Sequence, residues 1–364
     1  MNLEKNDPRV GGIIRTWGGK GGWESWMACT LLLFSLYGCS SNANNNQLYG
    51  DNDQMEQKHR VLFDTDTNNE IDDQHALAYL LFNADLFTVE GITVNSTKEP
   101  DVALDYVEAE RILKLCKSFQ KVPLKKGANG TFGEIQDQVN NSDFDGASAV
   151  NFIIEEALAE KEHELILLAV GKLTNIALAL KKEPAVASNA RLVWLGSNYP
   201  EPGEHNQNAD TTALNYLLNS DIPFEMVTVR YGKSSGTSAV RVTKDQIIHR
   251  MPGKGPHIEE PVEGRHGGLF DNFGDYSVSL FENYTMGGDP PSRPLFDMAA
   301  VAIVKHPDWA DSKEIPAPVL IDNEWVKRPD NKRTITLWEN FHIYGIMNDF
   351  FNTMDDPVIE SESN

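Results

Sequence analysis

Four aspartates and one glutamate fall within ten residues, Asp64-Thr65-Asp66-Thr67-Asn68-Asn69-Glu70-Ile71-Asp72-Asp73. Val61-Leu62-Phe63 stands before them and reads as the apolar end of a buried strand. His75-Ala76-Leu77-Ala78-Tyr79-Leu80-Leu81 follows with helical spacing. The acidic cluster therefore occupies the passage from a first strand into a first helix. In an open α/β sheet this is the carboxyl edge, where ligands bind. Carboxylates this crowded repel one another unless something positive lies among them. A hard cation held by oxygen ligands, Ca²⁺ or Mg²⁺, is the simplest neutraliser. The bland alternative, a solvated acidic loop, fits the sharply drawn strand–loop–helix context less well.

The rest of the chain repeats that alternation. Leu86 to Asn95 reads as a second strand, 101–119 as a helix, Val122-Pro123-Leu124 as a short strand and 146–161 as a helix. Glu164 to Val170 is a continuous apolar run, the mark of a central parallel strand covered on both faces. Gly171-Lys172-Leu173-Thr174-Asn175 leads from it into a helix, and Arg191 to Leu195 is a further buried strand. Glu204 to Asp210 reads as a loop, 211–219 as a helix and Phe224 to Val229 as a strand. Residues 231–292 break the rhythm with Gly, Pro and three histidines, and read as loops and helical excursions over the active edge. Asp297 opens another helix, Val319–Val326 and Thr334–Leu337 read as a short antiparallel region, and 341–351 as a closing helix. This pattern predicts an open, mostly parallel α/β sheet with helices on both faces.

Charge narrows the partners. With a net charge of −22 the surface disfavours nucleic acid, whose binding needs phosphates neutralised. Cys29, Cys39 and Cys116 have no metal-site spacing, and Cys116 reads as a buried apolar thiol. Met27 to Leu36 is too short to span a bilayer and suits the apolar region of a signal peptide. Leu36-Tyr37-Gly38-Cys39 after it resembles a bacterial lipobox. The resemblance implies cleavage before Cys39 and a lipid on that cysteine, hence a cell-envelope location, lipid-anchored or periplasmic. The expected organisation is a leader and flexible tether over 1–57, one α/β domain over 58–355 and an acidic tail over 356–364.

Each polar cluster follows an expected strand, so Asp64, Asp66, Asp72, Asp73, Thr174, Glu204, Asn206 and Asp297 can meet at one edge. Four blocks in order carry a resemblance: Asp-x-Asp with Asp72-Asp73, then Gly-x-Leu-Thr-Asn at 171–175, Glu-x-Asn-x-x-x-Asp at 204–210 and Asp-x-Ala-Ala-x-Ala at 297–302. Together they resemble the inosine–uridine-type nucleoside hydrolases over about residues 59–310. The resemblance implies a tightly held Ca²⁺ with Asp66, both oxygens of Asp73, the Thr174 carbonyl and Asp297 as ligands, supported by Asp64. It implies Asp66 as the general base on a water, Asp72, Glu204 and Asn206 on the ribose hydroxyls, and Asn95 near the water. The chemistry asks for such groups, because acidic side chains stabilise an oxocarbenium-like sugar and a metal positions and activates the nucleophile. The implied activity is hydrolysis of the N-glycosidic bond of ribonucleosides, and the family is often oligomeric.

Two departures stand out. Five residues separate Asp66 from Asp72 where the family usually has three, so this loop must bulge. Phe296 stands where many members carry a histidine that helps protonate the leaving base. Phenylalanine can stack on a base or pack, and the replacement acid is expected from His266 first and His205 second. Taken singly, Asp297 also suits a helix N-cap, and Glu204 and Asn206 suit local turns. Two other functions fit parts of the pattern. Asp64-Thr65-Asp66 also resembles the first motif of haloacid-dehalogenase-type phosphatases, with Asp64 as nucleophile and Mg²⁺ as cofactor. A calcium-bound nucleoside- or sugar-binding lipoprotein without turnover is the other.

Overall fold

The computed structural model describes residues 58–96 and 101–360. The leader, its lipobox at Cys39 and the tether lie outside the described residues, as does the tail beyond 360. The domain is built on an eight-stranded sheet. Its strands include β1 (His59–Thr65), β2 (Phe87–Val94), β3 (Leu124–Lys126), β4 (Leu165–Ala169), β5 (Ala190–Ser197) and β6 (Phe224–Thr228), in the order β3-β2-β1-β4-β5-β6. Thr334–Glu339 then adds parallel to β6, and Asp311–Pro316 closes that side as an antiparallel edge. The open, mostly parallel sheet expected from the sequence is present.

Strand geometry explains the double-sided apolar runs. Along β1, Val61 and Phe63 face one core while Leu62 faces the other. On β4, Ile166 and Leu168 go to the first core, and Leu165 and Leu167 to the second. The first core is covered by α1 (Asp72–Leu81), α2 (Val102–Leu115), α8 (Lys244–Arg250), α9 (Phe273–Glu282), α10 (Phe296–Lys305) and α11 (Ile343–Asp355). The second is covered by α3 (Phe132–Ile135), α4 (Ala147–Leu158), α5 (Thr174–Lys182) and α7 (Thr211–Leu218). The short α6 (His205–Ala209) sits at the carboxyl edge. Because β1 and β4 are neighbours while the chain winds outward from each, the order reverses between them, and a crevice opens at their carboxyl ends.

The structure corrects two sequence expectations. Residues 204–210 are not a loop, since α6 occupies most of them with Glu204 as its N-cap. Thr334–Glu339 does not pair with 319–326, which form their own hairpin. It joins the main sheet instead, where Ile335 and Leu337 enter the second core and the Trp338 indole donates to Glu225 at 2.7 Å. Its antiparallel partner Asp311–Pro316 was invisible because nearly all its residues are exposed and carry no apolar alternation. Past the last helix the chain is still joined to the domain: the Val358 N–H donates to the Phe82 carbonyl at 2.9 Å and its own carbonyl accepts from Ala84 at 3.0 Å.

The central strand should bear the stability. Leu167→Ala on β4, fully buried, is expected to lower unfolding free energy by about 2–5 kcal/mol. Lys313→Ala on the exposed edge strand should stay within about 0.5 kcal/mol, both read by urea denaturation.

Candidate functional site

The crevice is lined by Asp66, Asp72, Asp73, Glu204, Asn206, Phe296 and Asp297, with Asn69, Glu70, Val170, Leu195, His205, Val229 and Tyr231, around a cavity of about 240 Å³. Four segments remote in sequence thus meet as the strand-end argument requires. Asp66 leaves β1; Asp72 and Asp73 form the first turn of α1; Asp297 lies in the first turn of α10; Glu204 caps α6. Asp297 is not itself a cap, since Leu295 holds that position. Helix N-termini carry partial positive charge, so α1 and α10 aim favourable dipoles at these carboxylates.

That compensation is incomplete. Asp72, Asp73 and Asp297 are buried, with ligand oxygens within 4.8 Å of one another. Burial, then the charge of Asp66, pushes Asp72 up to about 7. Burial and the neighbouring aspartates hold Asp73 and Asp297 well above the ordinary carboxylate range. Arg293 approaches, with Nη2 3.2 Å from Asp72 Oδ1, and also pairs with Glu70. Thr65 Oγ1 donates to Asp73 Oδ1 at 2.5 Å. The remaining charge calls for a cation, and the all-oxygen donor set suits a hard one. Two further observations fit an ion or its water. Asn95 is fully buried and its Oδ1 has no hydrogen-bond partner. A Cβ on Gly171 would lie 2.9 Å from Asn95 Oδ1 and from Asp66 Oδ1, so glycine keeps that space open.

Asp64 plays a different part. Its Oδ2 accepts from Thr93 Oγ1 at 2.6 Å and Asn175 Nδ2 at 2.7 Å, and its Oδ1 from Asn95 Nδ2 at 2.6 Å. It is fully buried and does not line the crevice; burial lifts it to about 6 despite the three donors. An Asp64 with both oxygens occupied is a brace for Asn95 and Asn175. It is not presented as a nucleophile, which removes the geometric basis of the phosphatase reading.

Two expected site residues are elsewhere. Thr174 does not line the crevice: its hydroxyl donates to Asp210 Oδ2 at 2.6 Å inside the first turn of α5. The residue of this strand-to-helix passage that lines the crevice is Val170, four residues earlier at the end of β4, whose carbonyl accepts from Asn206 Nδ2 at 2.6 Å. His266 is exposed on the turn of the ribbon pairing Val262–Glu263 with Leu269–Phe270, bonded to Arg265 Nε at 3.2 Å. It is not among the lining residues, whereas His205 is.

Glu204 serves the helix and the crevice together. Its Oε2 accepts from the Gln207 N–H at 2.8 Å, and burial pushes its carboxyl up to about 7. Phe296 meets Tyr231 edge-on, with centroids 5.8 Å apart at 88°, making an aromatic corner in the crevice beside the carboxylates. Burial raises the Tyr231 hydroxyl, so it stays protonated. Sequence reasoning missed Val170, Tyr231, Asn69 and Arg293. Only Val170 carried a signal, its place at the end of an apolar run.

Comparisons with known proteins show the fold and the family. The pyrimidine-specific ribonucleoside hydrolase RihB of Escherichia coli O17:K52:H18 is 28% identical over 182 residues, covering 48% of this chain and 52% of RihB. The chain thus matches about half the length of this curated relative. Among solved structures, a plant nucleoside hydrolase superposes with a TM-score of 0.63 at 17% identity, covering 83% of this chain and 100% of that one. A purine-preferring ribonucleoside hydrolase from Gardnerella vaginalis gives 0.58 at 19% identity, covering 81% and 98%; at these identities the likeness concerns the fold. The family model of inosine-uridine preferring nucleoside hydrolases matches residues 61–344, and the chain belongs to that family.

Proposed function

We propose that this protein hydrolyses the N-glycosidic bond of ribonucleosides, giving ribose and free base, with Ca²⁺ at the aspartate cluster. The observation that carries the reading is the convergence of Asp66, Asp72, Asp73, Glu204, Asn206 and Asp297 on one crevice. Asp66, Asp73 and Asp297 would hold the ion, with the Val170 carbonyl in place of Thr174. When bound, it would supply Lewis-acid polarisation of a water. Asp66 takes a proton from the attacking water as the water oxygen bonds to C1′. The C1′–N bond breaks, its electron pair leaves with the base, and the base gains a proton. Asp72, Glu204 and Asn206 hold the ribose hydroxyls, in contacts that strengthen as the ring flattens. Phe296 and Tyr231 offer an aromatic corner to a flat leaving group. The expected place of work is the bacterial envelope, through the lipobox at Cys39.

A binding protein without turnover is the second reading, favoured by the absence of an acid at Phe296. The deciding experiment measures free ribose from a panel of purine and pyrimidine nucleosides, with and without a chelator, beside a phosphatase substrate. Chelator-sensitive ribose release is expected. Phosphate release without ribose would restore the phosphatase reading, and bound calcium with no turnover would select the binding protein.

Three variants test the assignments. Asp66→Asn should lower turnover about 10²–10⁴-fold with an unchanged circular dichroism spectrum, and a normal rate would remove it as the base. Asp297→Ala should lose calcium and activity together, by calorimetric titration and ribose assay. Glu204→Gln probes burial. The folded state holds the Glu204 proton more tightly than the unfolded chain, so stability from this group is greatest below about 4.5 and declines as pH rises to about 7. In metal-free protein, Glu204→Gln should therefore melt higher than the parent at pH 8, and the difference should vanish at pH 4.

A further inference from the structure

The leaving base needs a hydrogen-bond donor, and Phe296 provides none. Asn206 lines the crevice but its amide donates to the Val170 carbonyl, which leaves Asn69, His205 and Tyr231 as the other crevice side chains that carry N–H or O–H. Glu70, also at the crevice, is engaged by Arg293. The Asn69 Nδ2 lies 3.1 Å from Asp66 Oδ2 and 3.1 Å from His205 Nε2. The carboxylate, an acceptor, fixes which end of the amide faces it. An amide nitrogen accepts nothing, so His205 Nε2 must be the acceptor and the neutral ring carries its proton on Nδ1. Asn69 belongs to the lengthened loop between Asp66 and Asp72, so the bulge in this chain delivers the group that sets the histidine tautomer. His205 is half-buried and stands on α6 between Glu204 and Asn206.

We propose that His205, oriented by Asn69, donates the hydrogen bond that meets the departing base and takes over the work of the acid missing at Phe296. This rests on the hydrolase reading above. As the C1′–N bond breaks, the base leaves with the electron pair, and the imidazole N–H stabilises the charge building on its ring; the base takes its final proton from solvent. Asn69 is a positioning residue, since it acts through the ring and through Asp66. Tyr231 is the competing donor; its hydroxyl accepts from the His205 backbone N–H and keeps its own proton to give, but burial makes it a poorer acid.

The test compares nucleosides with p-nitrophenyl riboside, whose leaving group departs as a stable phenolate and needs no donor. His205→Phe should lower kcat on inosine and uridine about 10²-fold or more, and shift kcat on p-nitrophenyl riboside by no more than about threefold. His205→Gln retains an N–H and should recover part of the nucleoside rate. Asn69→Ala should depress both substrates, because it also holds Asp66. Equal loss on both substrates in His205→Phe, with an unchanged melting temperature, would overturn the proposal and place His205 on the ribose side. Unchanged nucleoside turnover, or a selective loss in Tyr231→Phe alone, would overturn it in favour of another donor. If the parent protein cleaves neither substrate class, the hydrolase reading itself falls and this assignment with it. Cleavage of p-nitrophenyl riboside alone by the parent would show that no donor operates and would overturn the assignment of His205 while leaving the hydrolase reading in place.

Discussion

Uncompensated negative charge is the constraint around which this molecule is arranged. Asp66, Asp72, Asp73 and Asp297 are buried together at one sheet edge. Two unit charges about 4 Å apart repel by about 4 kcal/mol at an effective dielectric of 20. No fold tolerates several such pairs without an answer. Part of the answer is structural: the first turns of α1 and α10 point at the cluster, and Arg293 leans on its outer side. The rest is an invitation to a cation, which is why raised carboxyls here speak for a ligand site more than for an acid.

The surrounding shell keeps that cluster in place. Asp64 is clamped by Thr93, Asn95 and Asn175, which come from β2, the residue after it, and α5. These bonds join three neighbouring elements beneath the crevice. Lys172, also buried, donates to the carbonyls of Asn129 and Gly130 at 2.7 Å and so ties the 127–131 loop to the end of β4. On the far side, the Trp325 indole of the 319–326 hairpin reaches Gln207 Oε1 at 3.3 Å, and Gln207 in turn bonds the Asn198 N–H. The helix that presents Glu204 and Asn206 is therefore steadied from outside as well as by its own cap.

Much of this was legible in the sequence, for physical reasons that differ by residue. Apolar runs such as 164–170 declare a strand covered on both faces, and polar residues just beyond them must then share an edge. That logic placed Asp66, Asp72, Asp73, Glu204, Asn206 and Asp297 together. It misplaced Thr174, because spacing within a short motif does not say which residue of a strand-to-helix turn still faces the crevice; Val170 does. It misplaced His266, because a Gly-rich excursion has no periodicity from which a direction can be read. Asn69 and Arg293 were out of reach for a related reason. Their roles depend on a loop bulge and a distant ribbon, and pairings over such separations leave no local trace. The exposed strand at 311–316 shows the same limit from the other side, since pairing through the backbone alone needs no pattern in the side chains.

That edge strand has its own consequence. A parallel sheet ending at Thr334–Glu339 would present an open row of main-chain donors and acceptors. Asp311–Pro316 covers that row with a run of exposed residues, carries Lys313 and Glu314, and ends in a proline. The opposite border, β3, is only three residues long. Neither border offers a long, flat, apolar template on which another chain can add a strand. A protein with these borders resists growing into a continuous sheet at high local density.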